Sequence, residues 1–508
     1  MPNNPRVTFS IVPAQQLAGL TDHKILVIGQ LLSGTSGDLV TEIGTNGEED
    51  TLFGARAHLA YMIRGARSVN EETRLDAIGL ADDGGATAGT AVVVFAGTAT
   101  EAGTLTFKIG SGTNHTFEIA VADTDVAITT IADALVAAIT ADTKAPFTAA
   151  NVTGTVTITA SNGGSLSNSY TITTSGIVAG VTAPVLTGWT GGATDPVLTT
   201  LFDAIANIRY QTIIWPDSFD DAVLKAELDA RFNVTDDVLD GVGFTRSVDT
   251  LANLKAESLA LNTENIVLSG TKPKDTATHK GAAVIEFPDV LSAKVGALRA
   301  LRLTQDAPIA SILSAAAPND AFGGPGTSTL PYFNTLIASV ELPNPADMFS
   351  FTDEKELNEN GIATDGNNKA NSDYIFGETV TTALTDAAGN PDTTFKFLNV
   401  RDSSGVIREF FFVNNQTRYA QSRLTDGDLV AGFSMENEAS IRGFQVELYK
   451  ELSDIAVTQS GTAAVEDFKT NLVVTTDVPN GKVTINAAPL QVGQIRTILG
   501  TIQVNLGG

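Results

Sequence analysis

Four histidines, His23, His58, His115 and His279, supply every imidazole in the chain, and no two of them stand at metal-ligand spacing. They are read as surface or packing residues. Ser269-Gly-Thr-Lys272 has the Ser-x-x-Lys spacing that lets a lysine activate a serine, but the companion motifs of such enzymes are missing. Gly323-Gly324-Pro325-Gly326-Thr327-Ser328 lacks the lysine that a phosphate loop requires, and Gly110-Ser-Gly-Thr-Asn-His115 is not a dinucleotide fingerprint. Both read as turns. The pairs Asp82-Asp83, Asp220-Asp221 and Asp236-Asp237 fall at turns or helix starts, where a carboxylate complements the helix dipole, and are read as solvated caps. Cysteine is absent, which removes disulfides, thiolate ligands and thiol nucleophiles together. This inventory names no catalytic, cofactor-binding or metal-binding residue, so the expectation is a protein that is not an enzyme and uses no cofactor.

The elements around these residues follow from length and composition. A chain of 508 residues exceeds the roughly 250–300 at which one hydrophobic core stops growing, so at least two domains are expected. With 43% hydrophobic and 18% charged residues it is too apolar for general disorder, and no apolar run approaches the about 18 residues of a membrane span. The start, Met1-Pro2-Asn3-Asn4-Pro5-Arg6, does not read as a signal peptide, which points to synthesis in a cytoplasm. A net charge of −27 without a Lys/Arg cluster argues against a nucleic-acid partner and reads as solubility and self-repulsion.

Residues 1–20 read as an N-terminal arm. Lys24–Leu32 reads as a buried strand, 51–69 as a helix and Arg74–Leu80 as a second strand, together a βαβ unit. The character then changes: 84–195 holds no arginine and two lysines, Lys108 and Lys144, and is dominated by Thr, Ala and Gly. Its short alternating runs and Gly-rich turns predict a small all-β sandwich with one helix at Ile128–Thr140. From Pro196 a βα rhythm resumes: helices at Val197–Ile208, Ser218–Phe232 and Thr250–Leu261, with strands at Tyr210–Trp215, Val238–Phe244 and Asn265–Leu268. The expected architecture is therefore a mixed α+β multidomain protein: a discontinuous α/β domain at 21–83 and 196–345, interrupted by the β-sandwich at 84–195. An α+β domain follows at 346–497. That last domain is expected to hold helices near 409–424 and 434–455, with Ile441, Phe444, Leu448, Leu452 and Ile455 on one face of the second. A hairpin turning through a type I′ Asn480-Gly481 completes it.

Both chain ends alternate like strands. Val7, Phe9 and Ile11 alternate with Thr8 and Ser10, and within 498–508 Ile502, Val504 and Leu506 alternate with Gln503 and Asn505. Each end either tucks into its own subunit's sheet or adds to the sheet edge of a neighbour. Burying such side chains gives roughly 1.5–3 kcal/mol each, while ordering the backbone costs about 1–2 kcal/mol per residue, so one exchanged strand is near balance and many linked ones are firm.

Three passages carry a family resemblance: Ala102-Gly-Thr-Leu-Thr-Phe-Lys-Ile-Gly110 through Ile131–Ile139 to Val156–Ala160; Tyr210-Gln-Thr-Ile-Ile-Trp-Pro216; and Leu357-Asn-Glu-Asn-Gly-Ile-Ala-Thr364. With them the chain resembles the tail sheath proteins of contractile bacteriophage tails, particularly the Mu-like branch. The resemblance implies a virion subunit, assembled in the host cytoplasm, that stacks in hexameric rings around an inner tube protein and contracts on a baseplate signal. It implies itself, the tube, the baseplate and the tail terminator as partners, with no nucleic acid and no membrane insertion. It also implies strand exchange between subunits through Val7, Phe9, Ile11, Ile502, Val504 and Leu506. An inner, tube-facing C-terminal domain is implied, with Arg442 and Lys450 as candidate tube contacts, and an outward-facing insertion. The alternative reading is a surface-adhesion or carbohydrate-binding protein carrying the sandwich as its binding module.

Overall fold

A computed structural model describes residues 23–305, except 46, 111–114, 123–125, 199–200 and 235–236, and residues 336–491, except 368–371 and 455–456. The arms at 1–20 and 498–508 lie outside the described residues. The chain divides into two compact units, His23–Leu303 with Leu330–Asp402, and Ser403–Gly508 with Met1–Asp22 and Thr304–Thr329. It is a mixed α+β protein with several separate sheets.

The first unit opens with β1 (Lys24–Gln30), β2 (Leu39–Val40), a π-helical turn at Asp50–Gly54, α1 (His58–Arg67) and β3 (Arg74–Leu80). Eight strands and a helix follow: β4 (Thr90–Ala99), β5 (Gly103–Ile109), β6 (Thr116–Val121), β7 (Val126–Ala127), α2 (Ile128–Ala141), β8 (Phe147–Val152), β9 (Thr155–Ala160), β10 (Ile172–Ser175) and β11 (Val181–Thr190). The chain returns through β12 (Thr212–Ile214), α3 (Asp221–Phe232), β13 (Val242–Val248), α4 (Leu251–Leu261) and β14 (Ile266–Thr271). A hairpin of β15 (Pro273–Thr276) and β16 (His279–Ala282) precedes α5 (Pro288–Gln305), and α6 (Phe351–Glu359), β17 (Ile362–Ala363) and the ribbon β18 (Asp365–Asn367) and β19 (Tyr374–Phe376) complete the unit.

The central sheet has the order β17-β14-β13-β12-β1-β3-β2, parallel except for β2. Its strands are nearly continuous apolar runs such as Ile25-Leu-Val-Ile28, all fully buried, because helices cover both faces of a parallel sheet. A Cβ on Gly29 would stand 3.2 Å from Leu59 of α1, and one on Gly296 of α5 would stand 2.9 Å from Ile214. Since Val27 and Ile214 are register partners, α1 and α5 share one face. On the other, Leu26, Ile28, Ile213 and Trp215 pack against Leu224 and Leu228 of α3 and Leu254 and Leu261 of α4.

The 84–195 region supplies all of one sheet, β11-β4-β9-β8, and three strands of a second, β15-β16-β10-β5-β6, which share a core around Val93, Phe95, Phe107 and Ile158, with Ile131, Leu135 and Ile139 of α2 packed against the same core. Alternation decides what faces out. Val93 and Phe95 are buried while Val94 between them is 37% exposed. Cross-strand register makes Ala150, Thr157, Val92 and Thr187 one outward row, running across all four strands of the first sheet.

Several expectations shift. The second of these sheets is not closed by the 84–195 segment: two of its five strands, β15 and β16, come from 273–282. That stretch, Pro-Lys-Asp-Thr-Ala-Thr-His-Lys-Gly-Ala, is polar and carries no alternation to announce a strand. The expected boundary at 345 also moves, because Ile362 pairs with Leu268 as the seventh strand of the central sheet and the first unit runs to Asp402. The helix expected at Val197–Ile208 reduces to a 3-10 turn at Leu201–Ile205, whose carbonyl ends are satisfied by Arg231, which donates to Ile205 O at 2.9 Å and Ile208 O at 3.0 Å.

In the second unit, α7 (Leu398–Tyr419), in which the boundary between units falls, leads to β20 (Arg423–Leu424), β21 (Met435–Glu436), α8 (Glu438–Asp454), α9 (Thr462–Asn471) and a hairpin of β22 (Val473–Asp477) and β23 (Lys482–Asn486). Ile441, Tyr449, Phe468, Leu472 and Val474 form its core, with the Tyr449 and Phe468 rings stacked 4.4 Å apart. Ile455, expected on the α8 face, lies outside the described residues. The hairpin loop has four residues rather than two. Pro479 lacks the N–H that a ladder position beside a two-residue turn would use, so Val478–Asn480 form a 3-10 turn and only Gly481, at φ 61°, is left-handed.

Candidate functional site

In open α/β sheets, ligands bind beyond the carboxyl ends of the strands where the strand order reverses. Here the reversal lies between β1 and β12. The space beyond β1 and β3 is taken by the chain itself. Gln30, the last residue of β1, donates from Nε2 to Asp82 Oδ1 at 2.8 Å and to Gly163 O at 2.7 Å. Asn162 donates to Leu31 O at 3.2 Å and to Asp82 Oδ1 at 3.0 Å, and its Oδ1 accepts from the first amide of α1, His58 N, at 3.0 Å. A loop of the insertion therefore holds the α1 amide that an anionic ligand would otherwise seek.

The two histidines nearest this seam are structural. His58 is fully buried, its Nδ1 2.6 Å from Tyr170 Oη and its Nε2 against the Asp289 carboxylate. Burial lowers the His58 pKa to about 3 and pushes the Asp289 carboxyl well above the carboxylate range. His115 joins Tyr61 Oη at 2.7 Å to Asp142 Oδ2 at 2.7 Å. Phe287 touches all four rings, with centroids 4.5 Å from Tyr170, 5.6 Å from Tyr61, 6.1 Å from His58 and 6.2 Å from His115. Two core residues and two from the insertion thus share one aromatic cluster, and each Asp–His pair ends on a buried tyrosine rather than on an accessible nucleophile.

The amino ends of the strands are closed as well. Arg401 donates to Asn265 Oδ1 at 3.0 and 3.1 Å and to Asp240 Oδ2 at 3.2 Å, with its guanidinium 4.4 Å from the Phe232 ring centroid. Arg299 pairs with Asp402 and donates to Thr212 Oγ1 at 2.7 Å. His23, which opens β1, is held neutral by burial and by Arg299 and Arg209, with a pKa lowered to about 3.

One group of carboxylates is invisible to motif and spacing. Asp217, Asp221 and Glu257 bring carboxylate oxygens within 4.8 Å of one another beyond β12. Burial and the nearby carboxylates raise the pKa values of Asp221, to about 7, and of Glu257. Asp221 accepts from Trp215 Nε1 at 2.7 Å, while Asp220 caps α3 through Ala222 N and Val223 N. The cap reading suits Asp220. Asp221 could not be sorted from it because Glu257 comes from a separate helix.

Val7, Phe9, Ile11, Ile502, Val504 and Leu506 lie outside the described residues. Arg442, on α8, donates to Leu472 O at 2.8 Å and Lys469 O at 2.5 Å, capping the carboxyl end of α9, and Lys450 is exposed on the same helix. Asn360-Gly361-Ile362, the heart of the third resemblance passage, has a physical basis. Gly361 adopts φ +76° at the end of α6, where a Cβ would stand 2.8 Å from Ser258 Oγ and 3.0 Å from Thr381 O, and the buried Ile362 then enters the sheet. Among the described residues no helix is long and apolar enough to cross a membrane.

No protein-family model matches the sequence, and no curated protein matches it. Among solved structures, a sheath tail protein from Desulfitobacterium hafniense is similar at 13% identity, covering 96% of this chain and 100% of that one with a TM-score of 0.46. A sheath tail protein from Listeria innocua is similar at 11% identity, covering 94% of each chain with a TM-score of 0.47. The helical sheath of the anti-feeding prophage in its contracted state is similar at 11% identity, covering 99% of each chain with a TM-score of 0.46. At TM-scores below 0.5 these likenesses are too distant to assign a function by themselves.

Proposed function

We propose that the chain is the structural subunit of a contractile tail sheath, polymerising around an inner tube and contracting to drive that tube through a cell envelope. The reading starts from the three sequence passages that resemble tail sheath proteins. The observation that carries it further is the β22–β23 hairpin. It is a two-stranded sheet whose outer edges have no further strand among the described residues, and two strands alone are marginal in water. α8 and the hairpin share a core through Ile441 and Val474, and among the described residues no strand pairs with either outer edge of the hairpin. A chain with such a hairpin and two alternating ends has both halves of a strand-exchange contact.

In this account Val7, Phe9 and Ile11 of one subunit and Ile502, Val504 and Leu506 of another add to the hairpin edges of a third, tethering subunits while folded bodies move past one another. Lys450 and the outward atoms of Arg442 face the tube. The insertion faces outward, and tube, baseplate and terminator proteins are the partners of the assembled virion tail. The chain-filled space beyond β1 and β3 and the buried histidines suit a structural role. Deleting Leu499–Gly508 tests the reading: the truncated protein stays folded by circular dichroism and sediments as a monomer. Normal tubes from the truncated protein would sink the strand-exchange mechanism.

A further inference from the structure

The sheet β11-β4-β9-β8 contains no Asp, Glu, Lys or Arg on any of its four strands, in a chain with 58 acidic and 31 basic residues. Its outward row Val152, Thr155, Val94 and Val185 is register-matched across all four strands, and three of these are valines 69%, 37% and 60% exposed. The neighbouring row, Ala150, Thr157, Val92 and Thr187, is Ala and Val among threonines. Exposed sheet faces ordinarily carry charge that keeps copies apart, and the buried centres of protein interfaces are depleted of it.

We infer that this threonine–valine face is a contact surface for a second copy of the same chain. The charge distribution selects that occupant. A basic partner would seek acidic surface, which the rest of the molecule offers in excess, and a glycan site would offer aromatic rings, which the two rows lack. A copy carrying −27 must approach against its own repulsion, and an uncharged face is where it does so without setting like charges together or stripping water from ions. Four strands at about 4.8 Å spacing and two to three outward rows span a few hundred Å², roughly half of the ~800 Å² per partner of a stable pairwise interface. The contact is therefore weak alone and becomes firm among copies held close by other contacts.

The proposal shares with the sheath reading the premise that copies associate, and the experiment separates the two. The chain has no cysteine, so Val94→Cys places one thiol in the patch and Ile177→Cys, 89% exposed in the same region and off this sheet, serves as control. Each full-length variant is labelled with a thiol-reactive maleimide in dilute solution and in the associated material recovered by sedimentation at high concentration. The expected result is that both label when dilute, and that in the associated state Val94→Cys labels at least tenfold more slowly than when dilute while the Ile177→Cys rate is unchanged. Association with undiminished Val94→Cys labelling overturns the face and leaves the assembly reading standing. Absence of association at every concentration overturns both.

Discussion

Phe287→Ala is the perturbation that most directly probes how the insertion is joined to the α/β core. Phe287 is fully buried just before α5 and contacts His58 and Tyr61 from the core and Tyr170 and His115 from the insertion. Its truncation removes the ring that spans the seam and leaves a cavity, at a cost of roughly 3–5 kcal/mol. With a urea dependence of about 3 kcal/mol per molar, expected at the upper end for a unit of this size, that is a midpoint shift of about 1–1.7 M. The chain holds two tryptophans, and they report the two sides: Trp189 on β11 of the insertion and Trp215 just after β12 of the central sheet. Fluorescence-monitored unfolding of Trp215→Phe and Trp189→Phe versions therefore reads each side alone. With Phe287 present the two midpoints coincide, because the aromatic cluster around Phe287 ties the insertion to the α/β core. With Phe287→Ala the Trp189 transition moves to lower urea by about 1–1.7 M and separates from that of Trp215. Transitions that stay coincident and move by less than about 0.3 M would refute the shared-core argument.

Arg401→Met leaves Asp240 buried with a single remaining arginine and removes the donors to Asn265; a loss of roughly 3–5 kcal/mol in denaturant unfolding is expected, and Arg401→Lys should not restore it, since the planar fork is lost. Gly361→Ala forces a side chain into a left-handed position against Ser258 Oγ, and calorimetry should show a melting temperature lowered by an amount corresponding to more than about 1 kcal/mol. Asp221 has its native pKa raised from 3.8 to about 7 by burial and by neighbouring Glu257 and Asp220, so the native state binds more protons than the unfolded chain between those values. Stability from this site is accordingly present at low pH and lost as pH rises from about 4 to 7. Asp221→Asn should thus gain on the wild type in melting temperature between pH 4.5 and pH 8, and a pH-independent difference between the two proteins would contradict the assignment.

Much of the first unit was legible because periodicity and burial agree there. Ile25–Ile28 is a strand buried on both faces, Ile131, Leu135 and Ile139 mark one helix face, and Arg74–Leu80 is a strand at the expected residues. What the sequence concealed was long-range. The polar segment 273–282 becomes two strands because the insertion offers it an open edge at β10, information absent from its own residues. Ile362 becomes the seventh strand of the sheet because Gly361 redirects the chain beside β14, and the Asn-Gly-Ile pattern gave no hint of which sheet it would join. The lack of ligand spacing reads His58 and His115 as surface or packing residues without deciding between the two, and their tyrosine and aspartate partners lie on separate elements that spacing does not reveal. For the strand-exchange residues the sequence remains the only source, since both arms fall outside the described residues. Arg442, expected as a tube contact on the polar face of α8, caps α9, a use that depends on the placement of α9 beside α8 and is not readable from spacing.

If the proposed sheath function holds, copies of this chain build a hollow, periodic tube. Negative-stain electron microscopy of the purified 508-residue chain, alone and with the tube protein that the proposed sheath would enclose, tests that proposal. The account predicts striated hollow tubes or stacked rings; uniformly dispersed single particles under both conditions would contradict it.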